Sequence, residues 1–152
     1  MNSKGSLGAL IALVSICAPL SRAADSDTVI LNALGYTTGQ SVLLTHMAIG
    51  TLADAFVAKT YRSGEAKEFV TTYIKVTEGM RAQMKKLLDA NALDANDTDF
   101  IQQTVEVLDM VLKEGDAVKK FVSSGDDEDA KAYDKARTKA LKAIKTLLGM
   151  TE

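Results

Sequence analysis

Between Thr98 and Val122, apolar and polar positions separate onto opposite faces of a helix. Positions 101, 104, 105, 108, 111, 112, 115, 118, 119 and 122 read Ile, Thr, Val, Leu, Val, Leu, Gly, Val, Lys and Val. Positions 102, 106, 109, 113, 116 and 120 read Gln, Glu, Asp, Lys, Asp and Lys. A strand would alternate these two sets, whereas a helix sorts them into an inner stripe and a solvated face. Such a stripe is stable only when other helices cover it, and the flanking segments supply them.

A preceding helix is predicted from Ser41 to about Arg62, with Val42, Ile49, Leu52, Ala53 and Phe56 inward. Ser63-Gly64-Glu65 is a turn, with Ser63 as the expected N-cap. The next helix, from about Gly64 to Ala90, carries the stripe Ala66, Phe69, Val70, Tyr73, Thr77, Met80, Met84, Leu87 and Leu88. After a loop from Asn91 to Asp97, Asp97 or Thr98 is expected to cap the central helix, which stops at Ser123-Ser124-Gly125. Its pairs Asp109/Lys113 and Asp116/Lys120 have acid before base at i,i+4, worth roughly 0.2–0.5 kcal/mol each.

A last helix from about Asp126 to Leu148 opens on acids and closes on lysines, in the order that suits the helix dipole. Tyr133, Ala136, Ala140, Leu141, Ile144, Leu147 and Leu148 form its inner face, and Gly149 ends it. Two hairpins joined by similar short turns predict an all-α fold, an up-down-up-down antiparallel four-helix bundle over residues 41–149. Residues 24–40 are expected to be an N-terminal extension. Thr28 to Leu34 would form a short helix broken by Gly35 and by Thr37-Thr38-Gly39.

The first 23 residues follow another pattern. Lys4 precedes an uncharged run from Leu7 to Leu20, and Ser21-Arg22-Ala23 places small residues at the −3 and −1 positions of a cut before Ala24. This basic, apolar, small-x-small order is that of a cleaved signal peptide. The run is shorter than the roughly 20 residues that span a bilayer. Two alternatives are an apolar helix retained in the fold and a lipoprotein cut before Cys17, the latter opposed by Ile16 where a small residue is needed. Cleavage before Ala24 removes Cys17, the only cysteine, so the mature chain forms no disulfide and no thiolate metal site. A bundle without disulfides suits a bacterial periplasm better than a eukaryotic secretory route.

Composition sets the remaining bounds. With 152 residues, 47% hydrophobic and 25% charged, the chain suits one domain with a substantial core. Its net charge of −2 gives no general reason to bind nucleic acid or anionic membrane. Lys135, Lys139 and Lys142 nevertheless line one face of the last helix, a solvated face that could dock an acidic partner.

Candidate chemistry is sparse. His46, the only histidine, falls on the apolar face of its helix, and an antiparallel neighbour would bring Met84 and Met80 toward the same end, with Met47 flanking. His and Met suit Cu(I) or a haem iron. Periplasmic b-type cytochromes, four-helix bundles with His and Met axial ligands, are similar in architecture alone, with no matching local motif. A core histidine and gap-filling methionines are the plainer explanation. Gly50, Gly79 and Gly115 fall inside helices, where close helix contact explains them better than a ligand pocket. Asp94 to Asp99 begins like a calcium loop but lacks the glycine at its sixth position and the glutamate at its twelfth. No catalytic triad or phosphate loop is present. The sequence thus points to an exported, non-enzymatic bundle that binds an envelope protein or a small ligand and needs no cofactor. The alternative is a copper- or haem-binding bundle using His46 with Met47, Met80 and Met84.

Overall fold

The computed structural model describes the backbone of residues 18–150 and the side chains of residues 28–150. Residues 1–17, which carry Cys17 and most of the expected export signal, lie outside the described residues. The chain divides into two compact units, Met1–Leu34 and Gly35–Glu152. The described residues form an all-helical bundle of four helices: α1 (Ala18–Val57), α2 (Ser63–Asp89), α3 (Ala95–Ser124) and α4 (Asp127–Leu147). No strand occurs among them.

α3 is the central element, packed against both α2 and α4. Ile101, Val105, Leu108, Val111, Val118 and Val122 are buried as its stripe requires, and Thr104 joins them by returning its hydroxyl to the Phe100 carbonyl at 2.9 Å. Val42, Ile49, Leu52 and Ala53 from α1, Ala66, Val70 and Met84 from α2, and Tyr133, Ala140 and Ile144 from α4 complete the core. Phe121 links three helices. Its ring meets Phe56 of α1 edge to face at 5.4 Å and stacks on Tyr133 of α4 at 6.3 Å.

Four boundaries differ from the sequence reading, one of them the end of α1, which stops at Val57 rather than near Arg62. The expected break in the 24–40 segment is absent, because α1 is helical through Gly35 and Thr37-Thr38-Gly39. These glycines are packing positions. A Cβ on Gly35 would stand 3.2 Å from Phe100 Cε1, and one on Gly39 would stand 2.5 Å from Leu148 Cδ2. Just beyond them the helix runs on, with the Ser41 hydroxyl donating to the Thr37 carbonyl and the Thr45 hydroxyl to the Ser41 carbonyl. At the start of α2 the cap is Arg62, whose N–H donates to Glu65 Oε2 at 2.9 Å, while the Ser63 hydroxyl donates to the Val122 carbonyl of α3. At the start of α3 the cap is Asp94, whose Oδ1 accepts from the Asp97 N–H at 2.9 Å. Gly125 closes α3 with φ 71°, a left-handed turn that favours glycine.

The stretch Thr28–Val57 is long and apolar enough to cross a membrane by length and composition, with a mean hydropathy of 1.2 over its most apolar 18 residues, 33% of which are buried. Core helices of soluble bundles and export signals pass the same test.

The helical glycines separate into two kinds. At Gly115 an added Cβ would lie 2.8 Å from Ile74 Cγ1, whereas nothing stands within 4 Å of one at Gly79. Gly79→Ala is therefore expected to raise stability by up to about 1 kcal/mol through helix propensity. Gly115→Val is expected to lower it by about 1–3 kcal/mol through overpacking. Urea unfolding of the two variants checks the contrast.

Candidate functional site

The residues expected to share a metal are distributed unevenly. His46 and Met84 are buried, Met80 is half-buried, and Met47 is 55% exposed. The partner of His46 is a carboxylate. Its Nδ1 lies 2.8 Å from Glu114 Oε2 on α3, and the Glu114 side chain is wholly enclosed. Among the described residues no group of three or more His, Cys, Asp or Glu side chains is placed to hold a metal ion.

Glu114 is the residue that sequence reading missed. The signal was present: Val107, Val111, Glu114, Val118 and Phe121 follow at helical spacing along one row of α3, and all are buried. Glu114 occupies a core position in a run of apolar residues, so an unexplained charge there marks a partner across the bundle. That partner could not be named without the fold.

Two more side chains complete the polar cluster. Tyr133 of α4 is buried, and its hydroxyl has no hydrogen-bond partner among the described residues, as is also true of Glu114 Oε1. The Arg137 guanidinium lies 6.0 Å from the Tyr133 ring centroid and 3.9 Å from Asp54 Oδ1. Gly50 makes room for it, since a Cβ there would meet Arg137 Nη2 at 2.6 Å. Burial raises the Glu114 carboxyl above its ordinary value, opposed by the bond to His46, the His46 charge and Arg137. Burial likewise pushes the Tyr133 phenol up to about 12, with Arg137 opposing and Glu114 adding to the rise. The cluster can hold a proton inside the bundle.

A surface feature lies between α3 and α4. A groove of about 730 Å³ is floored by Val107 and Met110 from α3 and by Ala132, Ala136, Ala143 and Leu147 from α4. Lys113, Lys135, Lys139 and Lys142 also line it, and among the described residues Glu106 is the only acid in the lining. His46 and Glu114 take no part in it. The periodicity of α4 explains the groove. Tyr133, Ala140 and Ile144 point to the core, and the next face round alternates alanine with lysine, so short side chains leave a trough that long cations border. Lys113, expected to pair with Asp109, lines this groove, and Asp109 instead meets Arg81 of α2 at 2.5 Å. That cross-helix ion pair is about one-third exposed at each end and contributes little, in the range of exposed pairs.

No protein-family model, curated protein or solved structure matches the chain.

Proposed function

We propose that the protein is an exported, non-enzymatic helical bundle of the bacterial envelope, acting as a binding or accessory module through the groove between α3 and α4. The observation that carries this reading is the groove itself, an apolar floor bordered by Lys113, Lys135, Lys139 and Lys142 with Glu106 the single opposing charge among the described residues. Concave apolar surfaces with a few placed polar groups are the usual form of a ligand site. The absence of a catalytic constellation from the sequence supports a binding role over an enzymatic one.

The bundle in this proposal runs up-down-up-down. Ser63 at the start of α2 bonds to Val122 near the end of α3, and Arg81 further along α2 meets Asp109 earlier in α3. Gly39 and Gly50 of α1 face Leu148 and Arg137 at the corresponding reversed heights. Each relation supports antiparallel neighbours in this reading. Export rests on the order of residues in positions 1–23, and the intact mass of the mature protein is expected to begin at Ala24. A mass retaining Met1 or Cys17 overturns it.

The binding role is tested with anilinonaphthalene sulfonate, an apolar anion. Stoichiometric binding is expected, and Ala136→Trp, which fills the floor of the groove, is expected to abolish it while leaving the melting curve intact. Probe binding that Ala136→Trp leaves unchanged would assign it to another surface.

One observation favours a second reading, a metal- or haem-binding bundle with His46 as ligand. A carboxylate on Nδ1 orients an imidazole as the outer-shell partner of many ligating histidines does. Absorbance and elemental analysis of protein from its own host separate the two. The leading reading expects a colourless, metal-free sample. A Soret band, or stoichiometric copper lost on His46→Ala, would put the second reading first.

A further inference from the structure

We propose that the occupant of the α3–α4 groove is an acidic amphipathic helix supplied by a partner protein. This inference rests on the groove being the binding surface and concerns what fills it. The argument is the distribution of charge. Lys135, Lys139 and Lys142 recur once per turn along α4, spread over about 10 Å of helix at 1.5 Å per residue. Lys113 stands on the α3 wall. A ligand with one anionic headgroup, such as a fatty acid, is held best where cations converge at one end of an apolar slot. Here the cations form a row, so the matching ligand repeats its negative charges along its length with the period of a helix.

The floor fits the same occupant. Ala132, Ala136 and Ala143 are short residues on one side of α4, and they leave a furrow parallel to its axis. Val107 and Met110 form the other apolar bank, and methionine adapts to varied side chains. A helix laying an i, i+3, i+4, i+7 apolar ridge into that furrow packs as helices of a bundle pack, ridge into groove. Carboxylates flanking its ridge would face the lysine row. Such charge matching directs association and orientation and weakens as salt screens it.

The test uses the full chain and a fluorescein-labelled peptide of roughly 18 residues, long enough for about five turns. The peptide carries a leucine-alanine ridge flanked by glutamates. A second peptide has lysines in place of the glutamates, and laurate serves as a single-headgroup competitor. Fluorescence anisotropy reads binding, and circular dichroism reads helix formation by the peptide. The glutamate peptide is expected to bind and become helical. The double variant Lys135→Glu/Lys139→Glu, at two exposed positions, is expected to weaken it at least about tenfold, a 1.4 kcal/mol change. Lys85→Glu, on the exposed surface of α2, is expected to leave affinity unchanged, and melting curves establish that each variant is folded. Equal binding of the two peptides overturns the charge match. Laurate binding blocked by Ala136→Trp, with no peptide binding, overturns the helical occupant and leaves the groove as the site. If neither laurate nor the glutamate peptide binds, and Ala136→Trp leaves anilinonaphthalene sulfonate binding unchanged, the groove reading and this inference fall together.

Discussion

His46→Leu lowers the stability of the bundle by about 3–5 kcal/mol near neutral pH, the cost of leaving a buried carboxylate without its partner. Leucine fills most of the imidazole volume, so cavity formation is a minor part of the loss. What remains is Glu114, fully enclosed, with Oε1 already unpartnered among the described residues and Oε2 now also without its bond. The pH dependence identifies the cause. Burial raises the Glu114 carboxyl above its ordinary value of 4.5 in the folded protein. The folded state therefore binds this proton more tightly than the unfolded state does. Stability from this group is fully present below 4.5 and is lost as pH rises through the folded value.

Removing His46 removes two of the influences that hold this value down, so the window of loss extends further toward neutrality. Urea unfolding between about pH 5 and about pH 8 is expected to show His46→Leu weakening steeply as pH rises. The double replacement His46→Leu/Glu114→Leu is expected to lose most of that slope and recover much of the stability, since an apolar pair can replace a buried ionic one without loss. A single variant as stable as the parent throughout would mean that the pair contributes nothing.

Leu108→Ala lowers stability by about 2–5 kcal/mol, the range for deleting a large aliphatic side chain from a core that relaxes only partly. Leu108 is 1% exposed and lies at the middle of α3, the helix on which both α2 and α4 pack. Urea unfolding measures the change. A loss below about half a kcal/mol, well under that range, would mean that α3 is not the centre of the core. Both replacements act through α3, yet only the first should depend strongly on pH, because Leu108 carries no proton.

The sequence made the four helices and most of their inner faces legible because each stripe repeats over many turns. Val42, Ile49, Val70, Val111 and Ile144 are all buried where periodicity places them. Phe69 is an exception, 45% exposed and packed beside Tyr61 with ring centroids at 5.3 Å. Its place next to the stripe did not distinguish the core from the exposed edge of α2. Gly35 and Gly39 misled for a physical reason. Glycine marks both the end of a helix and the place where another helix approaches, and only the positions of Phe100 and Leu148 separate these meanings.

Periodicity marks His46 as an inward histidine, but it points toward methionine neighbours, because sulfur and imidazole make familiar metal sites. Its partner, Glu114, is 68 positions away in sequence, a relation that helical periodicity does not encode. The lysine face of α4 was legible as a face. Its conversion into a groove was not, because the alanines between the lysines matter only once Val107 and Met110 stand opposite them.

α3 carries a wall of the groove on one side and Glu114 on another. The imidazole that Glu114 holds belongs to the only histidine in the chain, so its ring-carbon protons give resonances that need no assignment among histidines in a proton NMR spectrum. Those resonances sense the helix that forms the groove wall without lying in the groove. A titration that displaces α3 would move them, and one that merely coats the surface lysines would leave them in place.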